Sequence, residues 1–257
     1  MQLIKAIGLN MRKRYMISLV GGGGKTTTMY RLARELKVLG KRVLVTTTTA
    51  IFYPTEDQYD HLYVTRSLNE LMRQSLIGGK GTITIMGKYK MKGGKLKGIE
   101  PEWVDSIEQS SSFDMILIEA DGAKCKPMKA PLSHEPVIPP KSHMVIGCIG
   151  LDSYKKTINE KWVHRPSVLA KVVGQDMDTE INYDTYSKLI AAQDGLFKGC
   201  PQNSEKVVLF NKMDLHNEKE IFPQFYRELV ENNGDISKVL VGHVQEDNPI
   251  VSVVNRS

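Results

Sequence analysis

Cysteine is scarce in this chain: Cys125, Cys148 and Cys200 are the three in 257 residues. They are widely scattered and none sits in a CxxC pair, which speaks against a disulfide framework and against a zinc knuckle. A reducing, cytoplasmic setting is therefore expected. Long apolar runs are missing too. After the basic residues Lys5, Arg12, Lys13 and Arg14, the apolar stretch 16–20 gives way to glycine. That is too short for a signal core or a membrane span, so no membrane association is expected. There is no internal repeat, low-complexity tract or Ser/Gly linker. Positive charge, although in excess by +6, is not spread along the chain, because Lys88, Lys90, Lys92, Lys95 and Lys97 crowd one acid-free stretch. With Tyr89 as its one interleaved aromatic, this basic spot makes nucleic acid a disfavoured partner.

What remains is an ordinary globular composition, 41% hydrophobic and 25% charged, enough to bury a large core. A short helix is predicted near 2–9 and a strand at 16–20, running straight into Gly21, Gly22, Gly23 and Gly24. Met29, Leu32, Ala33, Leu36 and Leu39 then recur at helical spacing up to Gly40, a suitable C-cap. A second strand follows at 42–46. Strand, glycine loop, helix and strand make a βαβ unit, which demands a parallel sheet covered by helices. Downstream, helices are predicted at 67–76, 101–108, 166–172, 183–192 and 218–231, and strands at 82–86, 114–118, 144–149, 207–210 and 239–241. The class is α/β: a P-loop NTPase-like, mostly parallel sheet flanked by helices, in a single domain over 1–257.

Residues 82–98 are predicted as a basic β-hairpin insertion. A two-residue Gly93-Gly94 turn would set Met91 opposite Leu96, Lys92 opposite Lys95 and Lys90 opposite Lys97. Facing lysines either gain from a bound anion or guard an exposed edge against aggregation.

The glycine loop carries the chemistry. The usual phosphate loop is G-x-x-x-x-G-K-[ST], but Leu19 stands where its first glycine belongs. What is present is G-x-x-G-K-T from Gly21 to Thr26, a shortened form resembling the loop of the Mur peptide ligases. Following a strand and opening a helix, it offers amides and a helix dipole to phosphate. Lys25 is the expected phosphate lysine, Thr26 the expected Mg2+ ligand, and Thr27 continues the cradle. At the end of strand 114–118 stand Glu119 and Asp121, expected to hold the Mg2+ shell or order a water, and Gly122, where backbone can approach a γ-phosphate. After strand 207–210 come Asn211, Lys212, Met213 and Asp214, resembling the guanine-reading N-K-x-D, in which the aspartate accepts from guanine N1 and N2. The pair E-x-x-G and N-K-x-D resembles GTPases that insert nickel or cobalt into enzymes, so GTP is favoured over ATP as the Mg2+-bound nucleotide.

Thr47 and Thr48 end the second strand, on the edge where open α/β sheets bind ligands. They either position a water or metal, or simply cap and favour the strand. The proline-rich stretch 127–140 is long for a simple connection. In and before it Lys124, Lys126 and Lys129 could hold an anion, and His134 with Glu135 could serve as a base or ligand pair; the alternative is a packed structural loop. His164 and Arg165 either face the same cleft or cap the next helix.

Taken together, VGGGGKTT (20–27), VLVTTTTAIF (43–52), GKLKGI (94–99), IEADGAKCKPMKAPLSHEPVIP (118–139), IGLD (149–152), VHRP (163–166) and NKMD (211–214) resemble the YqeC family, accessory proteins of selenium-dependent molybdenum hydroxylases. The resemblance runs in order through most of the chain, and the long central block is its most specific part. It implies a P-loop protein assisting maturation of a molybdenum hydroxylase client, or acting with that client's cofactor-maturation proteins. Cys125 departs from the expected pattern and is not read as a carrier of selenium or metal. By analogy with switch NTPases a homodimer is expected. A second reading is an ATP-dependent small-molecule kinase or ligase.

Overall fold

The computed structural model describes residues 1–110, 113–213 and 222–256. Its centre is a nine-stranded sheet in the order β14-β13-β12-β10-β1-β8-β2-β5-β4. These strands are β1 (Tyr15–Gly21), β2 (Val43–Thr47), β4 (His61–Val64), β5 (Ile83–Gly87), β8 (Met115–Glu119), β10 (Met144–Gly150), β12 (Glu205–Asn211), β13 (Ile236–Gly242) and β14 (Ile250–Asn255). All neighbours pair parallel except β14, which runs antiparallel to β13. The fold is therefore the expected α/β class, with the glycine loop leaving the middle of the sheet.

Continuous apolar character follows from cover on both faces. Because side chains alternate along a strand, Ile17, Leu19, Val43, Val45 and Leu117 point to one side. There they pack under α1 (Leu3–Ile7) and α2 (Lys25–Val38). Met16, Leu44, Ile116 and Ile118 point to the other side, beneath α3 (Leu68–Gln74) and α4 (Pro101–Ser110). On that same side Val145, Val208 and Phe210 meet α5 (Pro166–Val173), α6 (Tyr183–Ala191) and α7 (Phe222–Asn232). Aromatic rings concentrate here: Phe225 stacks on Tyr183 and packs edge-on against Phe210.

Two small sheets decorate the strand ends. One is a parallel pair, β9 (Met128–Lys129) with β11 (Val163–His164). The other is antiparallel, β3 (Ala50–Phe52) with β7 (Lys95–Lys97) and β6 (Tyr89–Met91). This corrects the hairpin in two respects. Residues Ile83–Gly87 belong to the main sheet, and the register is slipped by one, with Tyr89 opposite Lys97, Lys90 opposite Leu96 and Met91 opposite Lys95. The connection takes in Lys92 as well as Gly93 and Gly94, both at positive φ. A one-residue slip reverses which side chains share a face, so the lysines lose the face-to-face arrangement. Lys90 instead lies 4.6 Å from the Tyr53 ring centre and Lys95 5.5 Å from that of Phe52.

The short helix α1 is held from outside. The Glu35 carboxylate, on α2, accepts from the backbone N–H groups of Leu3 and Ile4 at 3.2 and 2.8 Å and from Arg31 Nε at 2.9 Å. It thereby satisfies donors that a helix start leaves open. Replacing it, Glu35→Ala, strands those two amides and should cost about 2 kcal/mol in urea unfolding. An unchanged midpoint would show that α1 does not depend on this contact.

Candidate functional site

The loop after β1 is built by close backbone packing. Gly23 has φ 67°, and a Cβ there would lie 2.1 Å from the Gly150 nitrogen. Gly24, φ 114°, forms the N-cap of α2, and a Cβ there would lie 2.5 Å from Asn211 Nδ2. No other residue type fits either place. The amides of Gly22 and Gly23 are already used, donating to the Cys148 carbonyl at 2.9 Å and the Lys126 carbonyl at 3.0 Å, and that of Gly21 donates to Asp121 Oδ2 at 3.1 Å. The first paired amide of the helix is Thr28, to the Gly24 carbonyl. The open donors of the cradle are thus the amides of Gly24, Lys25, Thr26 and Thr27, none of which has a partner among the described residues. Gly21, Gly22 and Gly23 shape the loop rather than offer their N–H groups.

Around this loop runs a chain of buried charges. Lys25 Nζ donates to the Gly21 carbonyl at 2.6 Å and lies 3.0 Å from Asp121 and 3.9 Å from Glu119. The Thr26 hydroxyl donates to Glu119 Oε2 at 2.6 Å. Asp121 is shared with Lys129 at 3.2 Å, and Lys129 reaches Glu135 at 2.9 Å. Glu135 in turn accepts both arms of Arg165. Lys129 has no exposed side-chain surface. Adjacent β1 and β8, paired with Leu19 beside Glu119, bring the loop and the two acids together.

Burial works against the charge on Lys25, but Asp121 and Glu119 outweigh it and raise its pKa, so it stays protonated. Burial raises the Glu119 pKa, opposed by Lys25 and Thr26, which makes this carboxylate more basic than an exposed one. Burial would raise Glu135 as well, but hydrogen bonds from Arg165 and Lys129 prevail and hold it at about 2. Burial, with Arg165 and Lys129 nearby, lowers His164 to about 4.

The other expected residues fall into distinct places. Gly122 and Thr27 line the cavity over the loop, together with Lys25, Thr26, Glu119, Lys126 and Lys212; its volume is about 490 Å³. A Cβ on Gly122 would touch nothing among the described residues, so its small size serves no contact within them. Thr47 and Thr48 give their hydroxyl protons to the carbonyls of Glu119 and Val137, at 2.7 and 2.6 Å. They brace β2 to β8 and to the proline-rich stretch and have no proton left for a water. His134 is exposed and stands apart from Glu135, which is turned to Lys129 and Arg165; the two do not form a pair. Asn211 is buried, donating to the Gly23 carbonyl at 2.7 Å and accepting from Val244 N–H at 3.0 Å, and so clamps the loop. Lys212 pairs with Asp152 at 2.6 Å. Asp214 lies outside the described residues. Arg165 takes the N-cap position of α5 without a side-chain cap hydrogen bond and sends its guanidinium to Glu135, a pairing the sequence reading did not foresee.

Sequence reasoning passed over Tyr30, Phe52, Tyr53 and Asp152, which line the cavity or hold Lys212. Asp152 and Phe52 end the blocks IGLD and VLVTTTTAIF, Tyr53 directly follows the latter, and Tyr30 lies on α2. Among the described residues no group of three or more His, Cys, Asp or Glu is placed to hold a metal, and no helix is long and apolar enough to cross a membrane. The oxygens of Thr26 and Glu119 are nevertheless the hard donors Mg2+ prefers, in the small number usual when phosphates complete the shell.

The YqeC protein family model matches residues 17–167. An uncharacterized protein YqeC of Escherichia coli (strain K12) is 32% identical over 241 residues, covering 93% of this chain and 92% of that protein. No solved structure matches the chain significantly.

Two titrations give the site a pH signature. His164 is depressed from its ordinary 6.5 to about 4, so between those values the unfolded chain binds a proton that the folded one refuses. Stability falls across that window as pH drops. Glu135, held at about 2 against an ordinary 4.5, contributes fully above 4.5 and loses its contribution between 4.5 and 2. The His164 and Glu135 contributions to the urea midpoint should therefore fall from about pH 7 to about pH 3, while Glu119, raised by burial, contributes in the opposite sense as it takes up a proton. His164→Asn should flatten the upper part of that profile and Glu135→Gln the lower part. A His164→Asn profile that runs parallel to the wild type's between pH 6.5 and about 4 would contradict the His164 assignment.

Proposed function

The chain belongs to the YqeC family, and from that premise we propose that it is a P-loop nucleotide-binding protein and NTPase, favouring GTP over ATP. In this reading it assists maturation, or cofactor or selenium insertion, of a selenium-dependent molybdenum hydroxylase. The observation that carries the nucleotide reading is the convergence, in one cavity, of the open α2 amides, Lys25, Thr26 and the β8 acid Glu119.

The chemistry follows from these groups. The amides of Gly24 to Thr27 and the positive end of α2 receive phosphate oxygens. The Lys25 ammonium, held between Asp121 and Glu119, supplies a positive charge that burial keeps from being screened. Mg2+, when bound with the nucleotide, would neutralise charge on the phosphates, with Thr26 and Glu119 as its protein-side holders. Glu119, made more basic by burial, or Asp121, orders the water that attacks. Gly122 leaves room for the terminal phosphate. Catalysis of this kind is positioning plus charge stabilisation. Lys212, lining the cavity just after β12, supports a base-reading role for Lys212 and Asp214, with Asn211 bracing the loop beside them. A phosphoryl-transfer reading, as a small-molecule kinase or ligase, is favoured by one observation: the lining of the same cavity also includes Lys95 and Lys124.

Calorimetric titration with non-hydrolysable GTP and ATP analogues and Mg2+ tests this. Lys25→Ala and Thr26→Ala should each weaken binding by roughly 10- to 100-fold, with circular dichroism confirming that both variants fold. Asp214→Ala should abolish the preference for GTP. ATP-selective binding untouched by Asp214→Ala would shift the assignment to the kinase or ligase reading. Failure of both nucleotides to bind the wild type would overturn the proposal.

A further inference from the structure

The cavity over the glycine loop is asymmetric. In the sheet, β12 and β13 lie on one side of β1, and β8, β2 and β5 on the other. On the β12 side Lys212 enters the cavity, and a neighbouring recess is walled by Thr27, Val244 and Gln245. On the opposite side the lining includes Phe52 and Lys95 of the small antiparallel sheet, the adjoining Tyr53, and Lys124 from the segment after β8. A nucleotide with its base toward Lys212 directs its terminal phosphate to Glu119 and Gly122, and this second wall lies beyond it.

The wall is chemically unlike the rest of the site. Lys25, Lys129 and Lys212 each have a carboxylate at 3.2 Å or less, and Lys126 donates to the Lys161 carbonyl. Among the described residues no carboxylate pairs with Lys95 or Lys124. Lys95 rests 5.5 Å from the centre of the Phe52 ring, and Phe52, a large apolar side chain, is 60% exposed at the cavity mouth. Tyr30, 5% exposed and also in the lining, keeps a buried hydroxyl without a partner among the described residues. Such an orphan donor is expensive unless something satisfies it. Two uncompensated cations, an open aromatic face and an unused hydroxyl form a recognition set for a flat ligand with negative charge.

We propose that this half of the cavity binds a second ligand beside the nucleotide, a small planar anion whose ring lies on Phe52 and whose charge is met by Lys95 and Lys124. The inference deepens the nucleotide reading and rests on it for the direction of the terminal phosphate. It makes the cavity a two-ligand site, with the second ligand on the side where a transferred or released phosphoryl group would emerge.

Pyridoxal 5′-phosphate is a suitable probe, being flat and anionic, with an aldehyde that borohydride fixes onto any lysine it settles beside. The full chain is labelled with a saturating non-hydrolysable GTP analogue and Mg2+ present, and the modified lysines are mapped by mass spectrometry. Modification should concentrate on Lys95 and Lys124. It should fall by about 10-fold or more in Phe52→Ala and by a similar factor with pyridoxal, which lacks the phosphate. Because Phe52 is 60% exposed, its removal leaves the core undisturbed. Labelling spread over surface lysines in proportion to exposure, or indifferent to Phe52→Ala, overturns the proposal. Labelling blocked by the analogue overturns it too, because the wall then belongs to the nucleotide. Calorimetry of the analogue on the same samples separates the two readings: if the analogue fails to bind, the nucleotide assignment fails, while the Phe52 and pyridoxal comparisons still judge the anion site.

Discussion

Charges removed from water must be answered by opposite charges close by, and that requirement organises the site end of this molecule. Glu119, Lys25, Asp121, Lys129, Glu135 and Arg165 follow one another in space as alternating acids and bases. The row contains as many cations as anions, so it is neutral as a whole although Glu119, Lys25, Asp121 and Lys129 are almost fully buried. Each member depends on the next. The position of Lys25 is fixed by Glu119 on β8 and by Asp121 just after it; Asp121 is fixed by a lysine on β9, whose other acid is fixed by an arginine at the start of α5. The local folds of the proline-rich stretch and of the β9–β11 pair exist to deliver those partners.

This arrangement also explains why so many polar groups near the loop have structural duties. Thr47, Thr48 and Asn211 all spend their hydrogen bonds on backbone carbonyls or amides. In a region where buried polar atoms must be paired, side chains at the carboxyl ends of strands are recruited first as braces. The groups left open are those of α2's first turn and those facing the cavity, and the distinction between brace and ligand is visible only once partners are known.

The sequence made the central sheet legible because β1, β2, β8 and β10 are continuous apolar runs, and the glycine loop legible because strand, glycines and helix come in one order. Glu119 and Asp121 could be placed because they end such a strand. The edge strands β4 and β14 are only partly buried, and β9 and β11 have two residues each; neither kind leaves a periodic signal. The hairpin register escaped because the choice between a two-residue and a three-residue connection turns on whether Lys92 joins the loop, which composition does not reveal. The role of Arg165 escaped for a different reason. Its partner Glu135 is 30 positions away, and pairing at that distance is a property of the fold.

The interlocking of the glycine loop has a consequence for how binding free energy is divided. With Gly22 and Gly23 already hydrogen-bonded to the Cys148 and Lys126 carbonyls, and Gly23 and Gly24 packed against Gly150 and Asn211, the loop is ordered during folding. An anion docking at α2 would meet donors that need no rearrangement, so little conformational entropy would be lost. Affinity for such an anion would then be governed by charge and desolvation, with the thermal cost of order carried by the stability of the folded chain.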